Sequence, residues 1–125
     1  MIIGIGVDIA EIARVDRLSA RFGERFARRV LTDDELVEYR RRKHSSSYLA
    51  TRFAAKEAVA KACGTGIGEQ LGFHSMQIEH DGNGRPVLHF LDSADELVER
   101  LGIRNALVSL SDEQHYVVAM ALLES

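Results

Sequence analysis

Ile2-Ile3-Gly4-Ile5-Gly6-Val7-Asp8-Ile9 opens the chain, and the interpretation of this stretch decides the fold. It is short and rich in β-branched side chains, which predicts a buried strand. Asp8 interrupts the apolar run, and an ionised carboxylate there is costly unless it is hydrogen-bonded, paired or bound to a metal. The alternative is that Asp8 caps the following helix, with Glu11 completing an Asp-x-x-Glu capping box. Spacing alone leaves both roles open.

Beyond this strand, apolar residues recur at helical spacing from Glu11 onward, and Gly23 is expected to bend or divide the first helix. A second stripe on that segment consists of arginines: Arg14, Arg17, Arg21, Arg25 and Arg28. Thr32 and Glu35 have the form of a capping box, which predicts that a second helix begins there. The strongest helical segment is Tyr48–Cys63, and the next residue, a glycine, is expected to end it.

The second half of the chain predicts mainly strands. Two of them, Phe73–His80 and Pro86–Phe90, flank an Asn-Gly turn signal. A capped helix is expected near Ser93, followed by strands at Ala106–Leu110 and Tyr116–Leu123. This order of elements predicts an α+β fold with a mostly antiparallel sheet packed against a long central helix.

Length and composition favour one domain, residues 1–125, with 46% hydrophobic content for its own core. The single cysteine, Cys63, excludes an intrachain disulfide, and no Cys or His pair has the spacing of a structural zinc site. The apolar N-terminal run contains Asp8 and is too short to cross a bilayer. We therefore expect a soluble, cytoplasmic protein with no membrane partner.

Charge is distributed unevenly along the chain. The formal net charge is −3, but residues 11–43 hold ten of the sixteen Lys and Arg, whereas residues 62–125 hold three, against ten acidic residues. A locally basic end suits an acidic partner. The alternatives are an ordinary solvated helix face or a nucleic-acid-binding module. The acidic C-terminal half and the few aromatic residues disfavour the latter, so no nucleic-acid partner is expected.

The segment Arg52–Lys61 carries the second group of candidate site residues. Its i, i+4 spacing places Glu57 and Lys61 on one helical face, which is also typical of a surface ion pair worth about 0.2–0.5 kcal/mol. If Asp8 and Glu57 converge, they offer two oxygen ligands of the kind that holds Mg²⁺, and Lys61 could meet a phosphate. These groups alone would also permit another Mg²⁺-dependent phosphoryl or nucleotidyl transferase.

In order and spacing, four segments resemble the holo-acyl-carrier-protein synthases, the short, trimeric branch of the 4′-phosphopantetheinyl transferase superfamily. The segments are Gly4–Ile9, Arg52–Ala62, the Gly64-Thr65-Gly66 loop and Gly84-Arg85-Pro86. The resemblance covers nearly the entire chain. It implies the 4′-phosphopantetheinyl transferase fold and Mg²⁺-dependent transfer of 4′-phosphopantetheine from coenzyme A to a serine of apo acyl carrier protein. It also implies a homotrimer with active sites between neighbouring subunits.

The resemblance further implies roles for individual residues. Asp8 and Glu57 match metal-binding positions, and Glu57, Lys61 and Asp8 match the catalytic set. Contacts with coenzyme A are implied for Arg52, Lys61, Gly66, Asn83, Gly84, Pro86 and Ser109. From the charge pattern, the carrier protein is expected to dock on the arginine stripe, namely Arg14, Arg17, Arg21, Arg25 and Arg28.

One segment departs from the family pattern. Many relatives have Ser-x-Ser-His where this chain has Ser109-Leu110-Ser111-Asp112, so an aspartate occupies the histidine position. His115 is not expected to replace that histidine, because a lone histidine beside a turn is more often a polar surface residue. The role of Asp112 is left open.

Overall fold

The computed structural model describes residues 1–125 and contains five β-strands and five α-helices. The strands are β1 (Ile2–Glu11), β2 (Met76–His80), β3 (Pro86–Phe90), β4 (Asn105–Asp112) and β5 (Tyr116–Glu124). The α-helices are α1 (Ile12–Phe22), α2 (Glu24–Val30), α3 (Asp33–Arg41), α4 (Ser46–Cys63) and α5 (Asp95–Leu101). Two antiparallel sheets form, one with strand order β1-β5-β4 and one made of β2 and β3. The predicted α+β class is confirmed.

Helix α4 lies across the inner face of the larger sheet and forms the centre of the core. Its buried positions are mostly small, so sheet and helix can approach closely; they include Ala50, Ala54, Ala55, Ala58 and Ala60. Strand β5 presents its alternate, buried residues to the same core: Val117, Ala119, Ala121 and Leu123. The predicted long central helix is therefore confirmed.

Two glycines of β1 let this strand lie directly against the backbone of α4. A Cβ atom added at Gly4 would lie 2.0 Å from the carbonyl oxygen of Ala62, and one added at Gly6 would lie 2.0 Å from that of Ala58. Both distances are far below any van der Waals contact, so a larger residue requires the strand to move. Asp8 follows Gly6 by two positions and faces the same side of the sheet.

Local signals set most helix ends where the sequence predicted them. Gly23 separates α1 from α2, and Thr32 and Glu35 form a complete capping box at the start of α3. The hydroxyl of Ser45 accepts from the Tyr48 N–H at the start of α4, and α4 ends at a glycine in the left-handed conformation.

Two expectations about the second half are wrong in detail. Phe73–Ser75 forms a 3-10 turn, so the predicted strand begins only at Met76. Ser93 does not cap α5, because its hydroxyl donates to that of Ser75 at 2.8 Å, and α5 begins at Asp95 without a side-chain cap. A competing side-chain partner thus removed the cap that the spacing suggested.

The face of the larger sheet turned away from α4 is apolar and exposed, and we call it the outer sheet face. Ile5 and Val7 of β1 are 63% and 59% exposed, and Met120 of β5 is 42% exposed. The other large apolar residues on this face are Ile9, Leu107, Tyr116 and Val118. A patch of this kind on a small domain usually marks an interaction surface.

The two ends of the chain meet in the larger sheet. Strand β1 pairs with β5 from Ile2 opposite Glu124 to Glu11 opposite Tyr116, and the Ser125 N–H donates to the Met1 carbonyl oxygen at 2.9 Å. None of the helices combines the length and the hydropathy needed to cross a lipid bilayer.

Replacing Gly6 by alanine is expected to lower the free energy of unfolding by about 3 kcal/mol, at the upper end of overpacking costs, because the new methyl group would meet the Ala58 carbonyl. Gly82→Ala is the matched control, since nothing lies within 4 Å of its Cβ position. Urea denaturation of both variants measures the difference. Equal stability of the two would contradict the close contact.

Candidate active site

The contact between β1 and α4 brings Asp8 and Lys61 together. Lys61 Nζ lies 3.0 Å from Asp8 Oδ1 and donates to the Val7 carbonyl oxygen, also at 3.0 Å. Asp8 does not cap α1, because β1 continues to Glu11 and the helix start has no side-chain cap. The capping alternative is therefore wrong, and the carboxylate is compensated by an ammonium group from the facing helix.

Glu57 lies one helical turn before Lys61 and is half-buried. Burial raises the pKa of the Glu57 carboxyl above its usual value, the charge of Asp8 raises it further, and Lys61 opposes both effects. No direct Glu57–Lys61 ion pair forms, because Lys61 binds Asp8 instead. The ordinary surface pair that the i, i+4 spacing suggested is thus not what the structure contains. Two carboxyl groups and one ammonium group converge here.

The donor set fits a hard divalent cation. No group of three or more His, Cys, Asp or Glu side chains is arranged to hold a metal. Asp8 and Glu57 offer two carboxylates. Burial and then the charge of Asp8 raise the pKa of Glu57, and a cation bound by both carboxylates would offset their repulsion. Magnesium is commonly held by one or two carboxylates, with water and phosphate oxygens completing its shell.

An apolar cleft of about 590 Å³ opens beside Glu57 and runs between α1, α2 and α4. Arg14 and Arg29 are the basic groups in its walls. Its apolar lining includes Val15, Leu18, Phe26, Phe53 and Phe73. A partner's apolar side chain could therefore be buried next to the carboxyl groups while an acidic group contacts the arginines.

Arg52 occupies a second region, on a different face of α4, at the edge of a cavity of about 310 Å³ that we call the Arg52 cavity. The side chain is only 4% exposed, and its guanidinium stacks over the Tyr48 ring at 4.1 Å. Its NH2 group lies 3.3 Å from His80 Nδ1, while its Nε has no hydrogen-bond partner. The guanidinium can bind an anionic group, but four acidic residues line the same cavity, namely Asp34, Glu35, Glu38 and Glu79.

An adjoining cavity of about 260 Å³ shares Arg52 and His80 with the Arg52 cavity. Gly84 and Pro86 line it, and so does Asp112, which lies 3.4 Å from the Ser47 hydroxyl. Burial lowers the pKa of His80, and nearby Arg52 lowers it further. The two arginine-lined cavities thus gather several of the residues that the family resemblance assigned to coenzyme A, together with the aspartate that replaces the family's histidine.

Three residues that were predicted to contact coenzyme A either lie elsewhere in the fold or already use their backbone N–H group in a hydrogen bond. Ser109 pairs with Met120 in the sheet and is exposed on the outer sheet face. The Gly66 N–H donates to the Ala60 carbonyl oxygen at 3.2 Å and so helps to end α4. Asn83 is exposed in the turn, and its backbone N–H donates to Asp81 Oδ1 at 2.8 Å. Within one chain, none of the three joins Asp8 or Glu57.

The arginine stripe is divided between α1 and α2 and is partly neutralised. Arg17 pairs with Glu11 at 3.3 Å, and Arg28 pairs with Glu24 at 3.2 Å. The remaining stripe members, Arg14, Arg21 and Arg25, have no carboxylate within 4.0 Å. These three are the free positive charges of the stripe.

Sequence reasoning did not single out Arg29, which lines the cleft beside Glu57, or Arg42 and His80, which line the Arg52 cavity. Arg29 directly follows Arg28, a member of the arginine stripe, but it does not share the helical spacing of that stripe. Arg42 belongs to the run Arg40-Arg41-Arg42-Lys43, in which no local pattern distinguishes one basic residue from the next. The one available signal for His80 was its position directly before the Asn-Gly turn.

Comparison with known proteins gives consistent matches over almost the whole chain. Residues 4–121 match the model of the 4′-phosphopantetheinyl transferase superfamily. A holo-[acyl-carrier-protein] synthase of Vibrio cholerae is 51% identical over 124 residues, covering 99% of this chain and 98% of the relative.

Two crystal structures of holo-[acyl-carrier-protein] synthases are also similar. The Neisseria meningitidis protein matches with a TM-score of 0.95 and 42% identity, covering all of both chains. The Helicobacter pylori protein, solved in complex with coenzyme A, matches with a TM-score of 0.86 and 31% identity over 96% of this chain and 99% of that one.

Proposed function

This chain belongs to the 4′-phosphopantetheinyl transferase superfamily, and we propose that it transfers 4′-phosphopantetheine from coenzyme A to a serine of apo acyl carrier protein. The observation that carries the proposal is the convergence of Asp8, Glu57 and Lys61 at the contact of β1 with α4. Coenzyme A as donor is supported by the Helicobacter pylori relative, which was solved with coenzyme A bound. A buried Cys63 without a disulfide partner is compatible with the cytoplasm as the compartment.

In the proposed reaction, the serine oxygen of the carrier forms a bond to the β-phosphorus of coenzyme A. The bond from that phosphorus to the bridging oxygen breaks, and adenosine 3′,5′-bisphosphate leaves with the bonding electrons. Glu57 accepts the serine proton, directly or through a water molecule, and its raised pKa brings it closer to the range where a general base works at neutral pH.

Asp8 and Glu57 are the residues that would hold Mg²⁺, which when bound withdraws charge from the pyrophosphate oxygens. Lys61 is half-exposed, so its ammonium group can reach a phosphate at the mouth of the site. There it would stabilise the negative charge that develops as the phosphorus–oxygen bond breaks. Asp8, held 3.0 Å away, keeps this ammonium group in place.

We assign the nucleotide end of coenzyme A to the two cavities that share Arg52. Its phosphate lies in the adjoining cavity, which has one acidic lining residue, whereas the Arg52 cavity has four. Arg52 and His80 supply donors for a phosphate, while Gly84 and Pro86 form the wall contributed by the β2–β3 hairpin. Asp112 in the same wall introduces a negative charge that a histidine would not, so it favours an amino group or a hydroxyl on the ligand over a phosphate.

A homotrimer with active sites between subunits is the assembly that we propose. The two cavities that share Arg52 lie on a different face of α4 from Glu57, and neither Asp8 nor Glu57 lines them. A single coenzyme A could therefore contact both groups if they came from neighbouring subunits. The exposed outer sheet face supplies an apolar surface for such contacts, and Ser109 lies on it.

The carrier protein is proposed to dock along α1 and α2. Arg14 lies at once on the arginine stripe and in the wall of the cleft that ends at Glu57. An acidic helix bound there would bring its serine toward the carboxyl groups, and its apolar side chains would fill the cleft. Opposite charges on the two surfaces would also speed their encounter.

The decisive test of the proposed function is intact-mass analysis of apo acyl carrier protein incubated with this protein, coenzyme A and Mg²⁺. We expect a mass gain of one phosphopantetheine, lost when a chelator is added and lost in Asp8→Ala. No gain with several folded carriers would contradict the proposed acceptor and leave a different Mg²⁺-dependent phosphoryl transfer as the explanation of the site.

Carrier docking predicts a selective effect of charge reversal. Arg14→Glu combined with Arg21→Glu is expected to raise KM for the carrier more than tenfold, since about 1.4 kcal/mol of binding free energy corresponds to a factor of ten, while KM for coenzyme A changes little. Arg104→Glu is the matched control, because this exposed arginine has no side-chain ion pair and lies far from the stripe in sequence. An unchanged carrier KM would exclude this docking surface.

The proposed trimer predicts that charges on the outer sheet face disrupt assembly. Val118→Lys and Met120→Lys are each expected to shift the protein toward monomer in analytical ultracentrifugation and to lower activity in parallel. Val37→Lys is the control, since Val37 is 64% exposed on α3, outside the outer sheet face. If the wild-type protein sediments as a monomer while fully active, intersubunit sites are ruled out.

A further inference from the structure

Glu35 and Lys56 form a fully buried ion pair that the proposed reaction does not use. Lys56 Nζ lies 2.6 Å from Glu35 Oε1, and the two side chains are 0% and 2% exposed. Burying two charges costs free energy, and apolar side chains of similar volume often stabilise a core at least as well. Stability alone therefore gives a weak reason for this pair at this place.

Three elements form the walls of the Arg52 cavity, and the carboxylate of Glu35 connects all three. Glu35 itself belongs to α3, which forms the first wall. Its Oε1 accepts from Lys56 on α4, the second wall, and its Oε2 accepts from the Ile78 N–H on β2, the third, at 2.8 Å. Oε1 also accepts from the Thr32 N–H at 2.9 Å, which fixes the start of α3.

Lys56 fixes α4 relative to these walls. Besides Glu35, its ammonium group donates to the Val30 carbonyl oxygen at 2.7 Å, at the end of α2. Arg52 precedes Lys56 by four residues and so lies on the same face of α4, one turn earlier. Because Lys56 is held at two points, the rotation of α4 about its axis and its position along that axis are both fixed. The position of the Arg52 side chain is fixed with them.

Arg52 does little to hold the cavity together by itself. Across the cavity it has one polar contact with β2, the 3.3 Å contact with His80, and its Nε is unpartnered. On its own helix, NH1 donates to the Thr51 hydroxyl at 3.1 Å, which leaves NH1 and NH2 one further N–H each for a ligand. The distance between α4 and the β2–β3 hairpin is maintained by Glu35 and Lys56.

We propose that Glu35 and Lys56 are positioning residues that hold Arg52 opposite the β2–β3 hairpin, so that the cavity is formed before the nucleotide end of coenzyme A arrives. The inference rests on the proposed function, since it takes coenzyme A as the ligand. A pre-formed site binds more tightly because its groups need not be ordered when the ligand binds. The pair acts through Arg52 and has no contact with the reacting atoms.

Glu35→Gln tests the pair with a minimal change of shape. Glutamine has one oxygen where Glu35 accepts through two, so its amide nitrogen would face either Lys56 or the Ile78 N–H, and one wall loses its anchor. A second variant, Glu35→Leu with Lys56→Met, removes both charges and restores apolar packing. Glu99→Gln on exposed α5 is the control for the same chemical change at the surface.

The measurement is isothermal titration calorimetry with adenosine 3′,5′-bisphosphate, alongside thermal unfolding and steady-state kinetics. We expect Glu35→Gln to weaken bisphosphate binding about tenfold and to raise KM for coenzyme A, with kcat changed by no more than about twofold, because Asp8 and Glu57 face elsewhere. The double variant is expected to unfold at the wild-type temperature and still bind the bisphosphate weakly.

The outcomes separate this inference from the proposed function. If the wild-type protein binds the bisphosphate but both variants bind it equally well, or if the double variant regains affinity together with stability, the pair only stabilises the fold and the positioning role is wrong. If the wild-type protein does not bind the bisphosphate at all, the proposed function fails and this inference with it. Should Glu35→Gln not fold, the double variant alone decides.

Discussion

The close approach of β1 to α4 is the constraint on which the rest of the structure depends. It exists because Gly4 and Gly6 carry no side chain where the carbonyl groups of α4 face the strand, and because α4 itself presents mostly alanines. A strand held at a greater distance would leave Asp8 facing a gap. At the observed distance, its carboxylate reaches an ammonium group on the helix. The packing of the core and the chemistry of the site therefore have the same cause.

Helix α4 serves several purposes through different faces. One face meets the sheet, a second carries Glu57 and Lys61, and a third carries Arg52. A helix used in this way must be held rigidly, because a small rotation about its axis would misplace every group at once. Burial along most of its length and the charged anchor at Lys56 together provide that rigidity.

How much could be predicted from the sequence depended on how far apart in the chain the interacting residues lie. The capping box of Thr32 and Glu35 is a signal complete within four residues, and the structure contains it as expected. The role of Asp8 was ambiguous, because its partner lies 53 residues away and only the folded sheet brings the two together. Ser93 failed as a cap for the same reason, since a hydroxyl from a distant turn competed for it. The residues of the Arg52 cavity come from three separate elements, so no local pattern could group them.

The pairing of the first strand with the last has a consequence for how the chain folds. The only partner of β1 in the sheet is β5, the strand most distant from it in sequence, with Ile2 opposite Glu124. The larger sheet therefore cannot close before β5 is in place, and contacts this distant in sequence make folding slower. Until β5 folds against them, the apolar residues of β1 have no partner strand, and unpaired apolar strands of this kind are prone to aggregation. The backbone of Asp8 gains its pairing with Ala119 only in that late step, so the candidate site is completed together with the sheet.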